Sequence, residues 1–392
     1  MLKNALLVMV SLLVGGLLLE FGLRIVVDVP SPYPYSSPLL VKDERSVWVL
    51  DPEAQITMSN VVDFQAKRVR INASGTRHVP CAAKAAGGDD RRQLYTVGDS
   101  QTFGHGLADD ETWPNQLQCL LNQRSAPLRV INAGVPATNG DQYLMRFTYL
   151  RPSLRPGDRI VIAFTWNDLT ADTGAFPMEK YGQQTCPDEA GISSSRMPQP
   201  CLAKPKTYYQ EKTTWRRQLF DSTGVFVPDL GSVRGFLETA TFSSAVGFVA
   251  LPKLKLLYYR FRGEAAKERG HDPAKFALNL KIAARIRDLA AEKGVETTVV
   301  LLPNRLFYDD VYYQAYSRAG VAFPERDYPR HVTRKHCEVH GLTCLSLFEA
   351  LRTDQADRHN FPFDGHLNPA GAKAVAEQMH RWLLDGPLSA RP

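Results

Sequence analysis

The stretch "YTVGDSQTFGHG", from Tyr95 to Gly106, places a serine directly after a short apolar run that resembles a buried strand. The run breaks at Gly98, and Asp99 and Ser100 follow as the chain enters small polar residues and two further glycines. A serine in such a position is more often a turn residue or a helix cap than a nucleophile. The role of Ser100 therefore depends on the motifs that accompany it elsewhere in the chain.

Short apolar runs alternate with helical stretches on both sides of this segment. The pattern predicts strands at 94–97, 130–132, 159–164, 296–302 and 344–347, and helices at 113–122, 142–150, 275–293, 330–339 and 369–384. Asn368 has the character of an N-cap and Pro369 that of a first helical residue. Strands that alternate with helices predict an α/β fold with a parallel sheet covered on both faces. Ligands of such sheets bind beyond the carboxyl ends of the strands.

Five regions set the domain organisation. The sequence predicts a membrane anchor over 1–27, a proline-rich linker over 28–53 and a folded domain over 54–392. Alternation at the end of 54–72 predicts an edge strand or hairpin ahead of the main sheet. An interruption at about 170–270, rich in proline, basic and aromatic residues, is interpreted as an insertion, either a lid or a surface excursion.

The N-terminus carries the one long apolar segment. Residues 5–19 are apolar or small after Lys3, and pairing of Glu20 with Arg24 would extend the segment to about Val27, near the ~20 residues that a bilayer requires. No convincing small-x-small cleavage site follows. We expect an uncleaved signal anchor rather than a removed signal peptide, with a single pass through a bacterial inner membrane and the domain in the periplasm.

The overall composition is that of a globular protein of 392 residues, with 44% hydrophobic and 22% charged residues. A formal net charge of +6 is too small to indicate nucleic-acid binding. An even number of cysteines in an exported chain permits disulfides. They are Cys81, Cys119, Cys186, Cys201, Cys337 and Cys344. Sequence does not fix their connectivity, and the natural local pairs are Cys337 with Cys344 and Cys186 with Cys201.

Three further motifs lie at the end of a predicted strand or at the start of a helix. They are "NAGVPATNGDQ" (132–142), "FTWNDL" (164–169) and "FDGHLNPAGAKAVAE" (363–377). A serine hydroxyl is a poor nucleophile until a base removes its proton, and His366 can supply that base while Asp364 orients the imidazole. The nearby helix N-terminus should disfavour the charged form of His366. Asp99 is interpreted as structural.

Together the four motifs resemble those of the SGNH, or GDSL-type, hydrolases, whose blocks carry serine, glycine, asparagine and histidine. The likeness covers about 94–169 and the last thirty residues or so. It implies that Ser100 is the nucleophile and that the backbone N–H groups of Ser100 and Gly134, with the side chain of Asn167, form the oxyanion hole. His366 and Asp364 would complete the triad.

Two departures from the family pattern are visible. Thr165 stands where the third block usually has glycine, and Asp364 precedes His366 by two residues rather than three. The second spacing is also found in the periplasmic alginate O-acetyltransferase-like relatives. The resemblance implies a three-layer α/β/α, flavodoxin-like fold.

The implied activity is that of a serine esterase, or deacylase, acting on an O-acyl ester, with an acylated envelope or exported carbohydrate, or a small ester, as substrate. A polysaccharide O-acetyltransferase would use the same residues. A non-catalytic carbohydrate-binding component of an export complex and a lipid-active esterase remain open as further alternatives. A lipid-active esterase would need an apolar channel lined by aromatic residues of the insertion, such as Tyr208, Tyr209, Phe220, Tyr258 and Tyr259.

No cofactor or metal is predicted. The segment "HVTRKHCEVH" (331–340) has histidines and Cys337 at near-metal spacing, but it lacks a second ligand pair. The segment 104–106 lacks the lysine and the other glycines of a nucleotide-binding loop. The Gly-x-Ser-x-Gly elbow of the α/β-hydrolases is also absent, because Thr102 stands where that motif has its second glycine.

Overall fold

The computed structural model describes most of the chain outside the expected insertion. The described residues are 8–12, 14–19, 22, 39–43, 47–59, 63–82, 91–124, 128–136, 138–165, 168, 273–303, 305–310, 313–314, 328–352, 358–362 and 364–385. The insertion expected at about 170–270, with Cys186, Cys201 and the aromatic residues considered for a channel, lies outside them.

Two antiparallel hairpins precede the main sheet. They consist of β1 (Leu40–Asp43) with β2 (Val47–Leu50), and β3 (Gln55–Met58) with β4 (Lys67–Arg70). In β3 the side chains of Ile56 and Met58 are buried and Gln55 is exposed, so the period of two places one apolar face against the core. The hairpin that the sequence predicts within 54–72 is therefore present.

The first hairpin corrects the expected boundary of the linker. Leu39, Leu40 and Leu50 are buried and belong to the main hydrophobic core, although all three fall within the linker expected over 28–53. The apolar face of a two-stranded hairpin needs cover, and the core supplies it. The folded part of the chain is thus already present at Leu39.

Five parallel strands form the main sheet. They are β5 (Arg92–Gly98), β6 (Leu128–Asn132), β7 (Arg159–Thr165), β8 (Glu296–Leu302) and β9 (Thr343–Ser346). Their order across the sheet is β6-β5-β7-β8-β9, which is the flavodoxin-like order. In this order β6 lies on one side of β5, and β7, β8 and β9 follow on the other side. The crevice between the carboxyl ends of β5 and β7 is therefore the place where a ligand is expected.

Helices cover both faces of this sheet. They are α1 (Ser100–Phe103), α2 (Trp113–Gln123), α3 (Gly140–Leu150), α4 (Pro273–Ala291), α5 (Arg305–Tyr308), α6 (Tyr328–Val339), α7 (Phe348–Leu351) and α8 (Pro369–Asp385). Right-handed crossovers place α2 on one face and α3 on the other, because the chain moves in opposite directions after β5 and β6. In agreement, α2 packs against α8 and α3 packs against α4. The three-layer α/β/α architecture is confirmed.

The start of α8 follows the predicted capping pattern. The Asn368 side chain accepts hydrogen bonds from the backbone N–H groups of Ala370 and Gly371, at 3.0 and 3.1 Å. Pro369 is the first helical residue, where its missing N–H costs no hydrogen bond. This cap fixes the point at which the segment that carries Asp364 and His366 enters the helix.

Residues 8–12 and 14–19 of the expected anchor are helical. Among the residues that the structure describes, however, no helix is both long and apolar enough to cross a membrane.

Two disulfides lie in the described part of the chain. Cys337 and Cys344 form the local pair that the sequence suggests, with Cα atoms 6.2 Å apart. Cys81 and Cys119 form the other, with Cα atoms 5.2 Å apart. The second bond joins the segment after the hairpins to α2, and local spacing does not predict it.

Candidate active site

Ser100 is the first residue of the one-turn helix α1, directly beyond the carboxyl end of β5. The Asp99 side chain caps this helix by accepting the Gln101 N–H at 2.9 Å. The preceding turn needs glycine at position 98, because a Cβ there would lie 2.9 Å from the Ala163 carbonyl oxygen. Gly104 ends the helix with φ +87°, in the left-handed region. Local sequence therefore holds the Ser100 hydroxyl at the edge of the sheet.

The structure brings Ser100, His366 and Asp364 into one hydrogen-bonded chain. His366 Nε2 lies 2.8 Å from Ser100 Oγ, and His366 Nδ1 lies 2.5 Å from Asp364 Oδ1. An ionised carboxylate only accepts hydrogen bonds, so Nδ1 carries the imidazole proton. The Nε2 lone pair then faces the serine hydroxyl. This is the arrangement that proton removal from Ser100 requires.

Asp364 sets the charge state of this pair. Burial lowers the pKa of His366, but the hydrogen bond and negative charge of Asp364, helped by Asp99, outweigh burial and hold that pKa above its ordinary value. Burial alone would raise the pKa of Asp364. The interactions with His366 and His105 outweigh burial and hold that pKa below its ordinary value. The expectation that the helix N-terminus would make His366 less basic is therefore wrong, because the adjacent carboxylate dominates.

Contacts from distant parts of the chain fix the segment that carries the pair. Gln101 Oε1 accepts the Leu367 N–H at 2.9 Å, and Asp63 Oδ2 accepts the Asp364 N–H at 2.7 Å. Gln101 is the neighbour of the serine, so the first contact joins the two sides of the site directly. Asp63 lies between β3 and β4, so the second hairpin supports the site. Sequence patterns gave no signal for Asp63.

His105 adds a second imidazole beside the first. Its ring centroid lies 4.7 Å from that of His366, and its Nε2 lies 3.7 Å from Asp364 Oδ2. Burial, together with the charge of His366, lowers the pKa of His105 to about 4. Phe64 packs edge-on against the His105 ring, with centroids 5.5 Å apart. His105 is therefore a neutral, enclosed neighbour of the triad at ordinary pH.

His105, Asp364 and His366 are also the group of side chains in the described residues that could hold a metal ion, since one ligand atom from each lies within 4.8 Å of the others. Both nitrogens of His366 already make hydrogen bonds, to Asp364 and to Ser100. A cation here would have to break them. The arrangement fits a proton-transfer site better than a metal centre.

Arg77 stabilises the loop that follows Ser100. Its side chain is completely buried, and its guanidinium donates to the carbonyl oxygens of Phe103 at 2.6 Å, Gly104 at 2.7 Å and Leu107 at 2.5 Å. The guanidinium also stacks on the Phe103 ring, 4.5 Å from its centroid. Asp109 provides the counter-charge at 3.4 Å. One planar cation therefore satisfies the carbonyl groups of the loop that carries His105.

The predicted oxyanion hole is present only in part among the described residues. The Ser100 N–H has no acceptor within the part of the chain that the structure describes, so it is available to a substrate oxygen. Asn167 lies outside the described residues.

Gly134 does not fit the donor role predicted for it. Its N–H donates to Asn132 Oδ1 at 3.1 Å and is therefore already engaged. A Cβ at this position would lie 2.3 Å from the backbone nitrogen of Phe103. Glycine is required there because the β6–α3 loop passes directly against α1.

A small, partly enclosed cleft lies beside the triad, beyond the carboxyl ends of β7 and β8. Gln101, Thr165, Leu302, Arg305 and Asn360 are among its lining residues. Gly365 and Leu367, on either side of His366, line the same cleft. A small group bound there would lie next to the residues that hold the triad.

No protein-family model and no curated protein matches the chain. Solved structures with a similar course of the backbone include a lipolytic protein of the G-D-S-L family from Veillonella parvula, at 10% identity and a TM-score of 0.36, covering 76% of this chain and 99% of that one. A psychrotrophic esterase from Pseudoalteromonas sp. has 12% identity, a TM-score of 0.35 and coverages of 75% and 100%. A carbohydrate acetylesterase from Sinorhizobium meliloti has 11% identity, a TM-score of 0.36 and coverages of 75% and 98%.

At such identities and TM-scores the chemistry of the site rests on its own geometry.

Proposed function

We propose that the chain is a serine esterase of the SGNH type. The observation that carries the proposal is the continuous hydrogen-bonded chain from Ser100 Oγ through the His366 imidazole to the Asp364 carboxylate. A hydroxyl, a base and an acid in this order are the parts that nucleophilic acyl transfer needs. They lie at the switch point of a parallel sheet, where the ligands of such sheets bind, and a cleft lined by Gln101, Gly365 and Leu367 lies beside them.

The reaction follows from the proton positions. Ser100 Oγ attacks the ester carbonyl carbon while its proton moves to His366 Nε2. The carbonyl oxygen becomes negatively charged, and the Ser100 N–H can donate to it. His366 then gives its proton to the departing alcohol oxygen as the carbon–oxygen bond breaks, leaving an acyl group on Ser100. A water molecule, deprotonated by the same imidazole, releases the acid and restores the serine.

Asp364 acts through His366 in both halves of this cycle. Its carboxylate holds the proton on Nδ1 and stabilises the imidazolium that forms after each proton transfer. We propose that Asn167, which follows β7, supplies a second oxyanion donor, as the family resemblance implies. The Gly134 N–H would have to leave Asn132 before it could contribute.

The proposed substrate is an O-acylated carbohydrate of the cell envelope or an exported polysaccharide. The support for this is the sequence resemblance and the mixed lining of the cleft, where Gln101, Arg305 and Asn360 place polar groups beside Leu302. Such a lining suits a small acyl group on a polar alcohol better than a long hydrocarbon chain. Transfer to a sugar hydroxyl instead of water would use the same residues.

We also propose that the N-terminal segment anchors the domain to a bacterial inner membrane, with the domain in the periplasm. The support is the apolar run of 5–19 and the exposure of its described side chains, among them Met9 at 63% and Leu12 at 72%. Exposed apolar side chains in this number need an apolar environment. Two disulfides in the described residues agree with an oxidising compartment.

The experiment is p-nitrophenyl acetate turnover by the purified full-length chain, with Ser100→Ala as the control and an added oligosaccharide as a competing acceptor. The proposal predicts turnover that is lost in Ser100→Ala, and the ratio of acetate released to acetyl transferred separates hydrolase from transferase. Equal turnover by both proteins would exclude Ser100 as the nucleophile. Absence of turnover, combined with retention of cellular function by Ser100→Ala, would favour the non-catalytic binding role.

A further inference from the structure

The base of the proposed triad lies in a short hairpin that precedes α8. The Phe361 N–H donates to the His366 carbonyl oxygen at 2.8 Å, and Asn360 lies opposite Leu367 across an antiparallel bridge. The chain turns back at Gly365, whose φ of +85° lies in the left-handed region that favours glycine. A two-stranded ladder of this length is at best marginally stable alone. The position of the His366 imidazole therefore depends on side-chain contacts to the hairpin.

Asn360 fixes the peptide group on the N-terminal side of the base. Its Nδ2 donates to the Gly365 carbonyl oxygen at 2.9 Å, and its Oδ1 accepts from the Tyr308 hydroxyl. A carbonyl oxygen only accepts, so the orientation of the amide follows from its partners. Asn360 and Tyr308 are both buried, and burial raises the pKa of Tyr308, which therefore remains a donor. The amide thus joins the hairpin to α5, the helix after β8.

Gln101 fixes the peptide group on the C-terminal side of the base. Its Oε1 accepts the Leu367 N–H at 2.9 Å, and the amide oxygen must face that group because a backbone N–H only donates. Asp99 holds the backbone of Gln101 by accepting its N–H at 2.9 Å. One residue away, Ser100 Oγ lies 2.8 Å from His366 Nε2. Two adjacent contacts therefore join α1 to the hairpin, one of them through the nucleophile itself.

The two amides differ in what their hydrogen bonds require. Gln101 uses only its acceptor oxygen in the contact with Leu367, and a carboxylate could replace that oxygen. Asn360 must donate to Gly365 and accept from Tyr308 at the same time, which an ionised carboxylate cannot do. A carboxylate at position 360 would place two acceptors together in a buried site, where the repulsion is poorly screened. The same chemical change should therefore have different effects at the two positions.

We propose that Gln101 and Asn360, together called the amide pair, are positioning residues for the catalytic base. Asn360 sets the shape of the hairpin and so the orientation of His366 toward Asp364. Gln101 sets the distance from the hairpin to Ser100. Neither side chain takes part in the proton transfers. The consequence for turnover rests on the proposed esterase function, whereas the consequence for the hydrogen bonds of the hairpin does not.

Turnover of p-nitrophenyl acetate by the full-length chain, at a pH where His366 is neutral in every variant, tests the positioning role. Gln101→Met removes the acceptor of the Leu367 N–H and should lower kcat by about tenfold to a hundredfold with little change in KM, as misplaced catalytic groups do. Gln101→Glu restores an acceptor and should recover most of this loss. Asn360→Asp loses the donor to the Gly365 carbonyl group and should lower kcat in the same way. Unchanged kcat, or a change confined to KM, in Gln101→Met and Asn360→Asp would overturn the positioning role.

Gln118→Met is the matched control for an amide whose role is structural. Gln118 lies on α2, is fully buried and accepts the Val130 N–H at 2.6 Å, away from the proposed triad. Its loss should lower the free energy of unfolding and leave kcat and KM of the folded protein unchanged. Gln101→Met should instead lower kcat in protein that remains folded. An equal loss of kcat in the two variants would assign both amides to general stability and overturn the proposal.

Proton NMR of the full-length chain tests the amide pair without turnover. The proton between His366 Nδ1 and Asp364 should resonate far downfield of the backbone amides and be absent in His366→Asn. We expect Asn360→Asp to shift or broaden this signal, and Gln101→Met to leave it unchanged while the Leu367 N–H exchanges faster with solvent. An unchanged signal in Asn360→Asp, or an equally protected Leu367 N–H in Gln101→Met, would overturn the proposal. The expected NMR changes in a chain without turnover would instead support the amide pair and reject the proposed function.

Discussion

The carboxylate of Asp63 accepts a hydrogen bond from the backbone N–H of Asp364 at 2.7 Å, although the two residues are 301 positions apart in the chain. The contact joins the hairpin region ahead of the main sheet to the acid of the proposed triad. Phe64, the next residue, packs against Phe361 with ring centroids 5.1 Å apart. The N-terminal hairpins are therefore part of the structure that positions the site.

Removal of this contact should lower activity without abolishing the fold. Asp63→Ala leaves the Asp364 N–H without its acceptor and loosens the segment that orients His366. We expect kcat/KM for p-nitrophenyl acetate to fall about tenfold, roughly the value of one hydrogen bond to a charged group. Asp63→Asn keeps an acceptor oxygen and should recover most of the loss. Unchanged kinetics in Asp63→Ala would show that the hairpin does not support the site.

The pH dependence of kcat/KM should report His366. The base must be neutral to accept the serine proton, and Asp364 holds the His366 pKa above its ordinary value of about 6.5. Activity should therefore rise with pH through an apparent pKa above about 6.5 and remain high beyond it. A rise of kcat/KM centred near pH 4 would instead implicate His105, whose pKa is lowered to about 4. His105→Phe should leave the limb above 6.5 in place.

Arg77 should be a determinant of stability. Arg77→Met leaves the carbonyl groups of Phe103, Gly104 and Leu107 without the buried guanidinium that they contact. Loss of one partner from such a buried charged network costs about 3 to 5 kcal/mol of the free energy of unfolding. Urea denaturation measures this change. Arg68→Met, at an exposed position of β4, is the control and should cost under about 0.5 kcal/mol of the free energy of unfolding. Equal effects of the two substitutions would contradict the support role.

Gly134 should be intolerant of even a methyl group. Gly134→Ala keeps the backbone N–H but brings a Cβ to 2.3 Å from the Phe103 nitrogen, so the loop or α1 must move. We expect a loss of about 1 to 3 kcal/mol in the free energy of unfolding, as in overpacked interiors. Gly16→Ala, where no heavy atom lies within 4 Å, is the control. An unchanged stability in Gly134→Ala would show that packing is not the reason for glycine at this position.

Much of the fold could be predicted because its determinants are local. The apolar runs before Ser100 and around Ile160 mark their own strands, and Asn368 with Pro369 marks the start of α8. The alternation of strands and helices then restricts the sheet to a parallel one. The boundary of the linker was wrong because burial of Leu39 and Leu50 depends on the core that they contact.

The sequence predicted only those residues of the site that belong to a recognisable motif. Ser100, Asp364 and His366 are recognisable because their neighbours repeat a family pattern, and the structure brings these three together. Asp63 and Arg77 have no such pattern, and their roles depend on contacts across long stretches of chain. The disulfide between Cys81 and Cys119 shows the same limit, since spacing favours only short pairs such as Cys337 with Cys344.

The most direct test of the central claim is the intact mass of the full-length chain after reaction with diisopropyl fluorophosphate. A hydroxyl activated by His366 should take one diisopropyl phosphoryl group, and peptide mapping should locate it on Ser100. Ser100→Ala should take none, and His366→Asn should react far more slowly. No adduct on the unmodified chain, or an adduct that persists in Ser100→Ala, would contradict the assignment of Ser100 as the nucleophile.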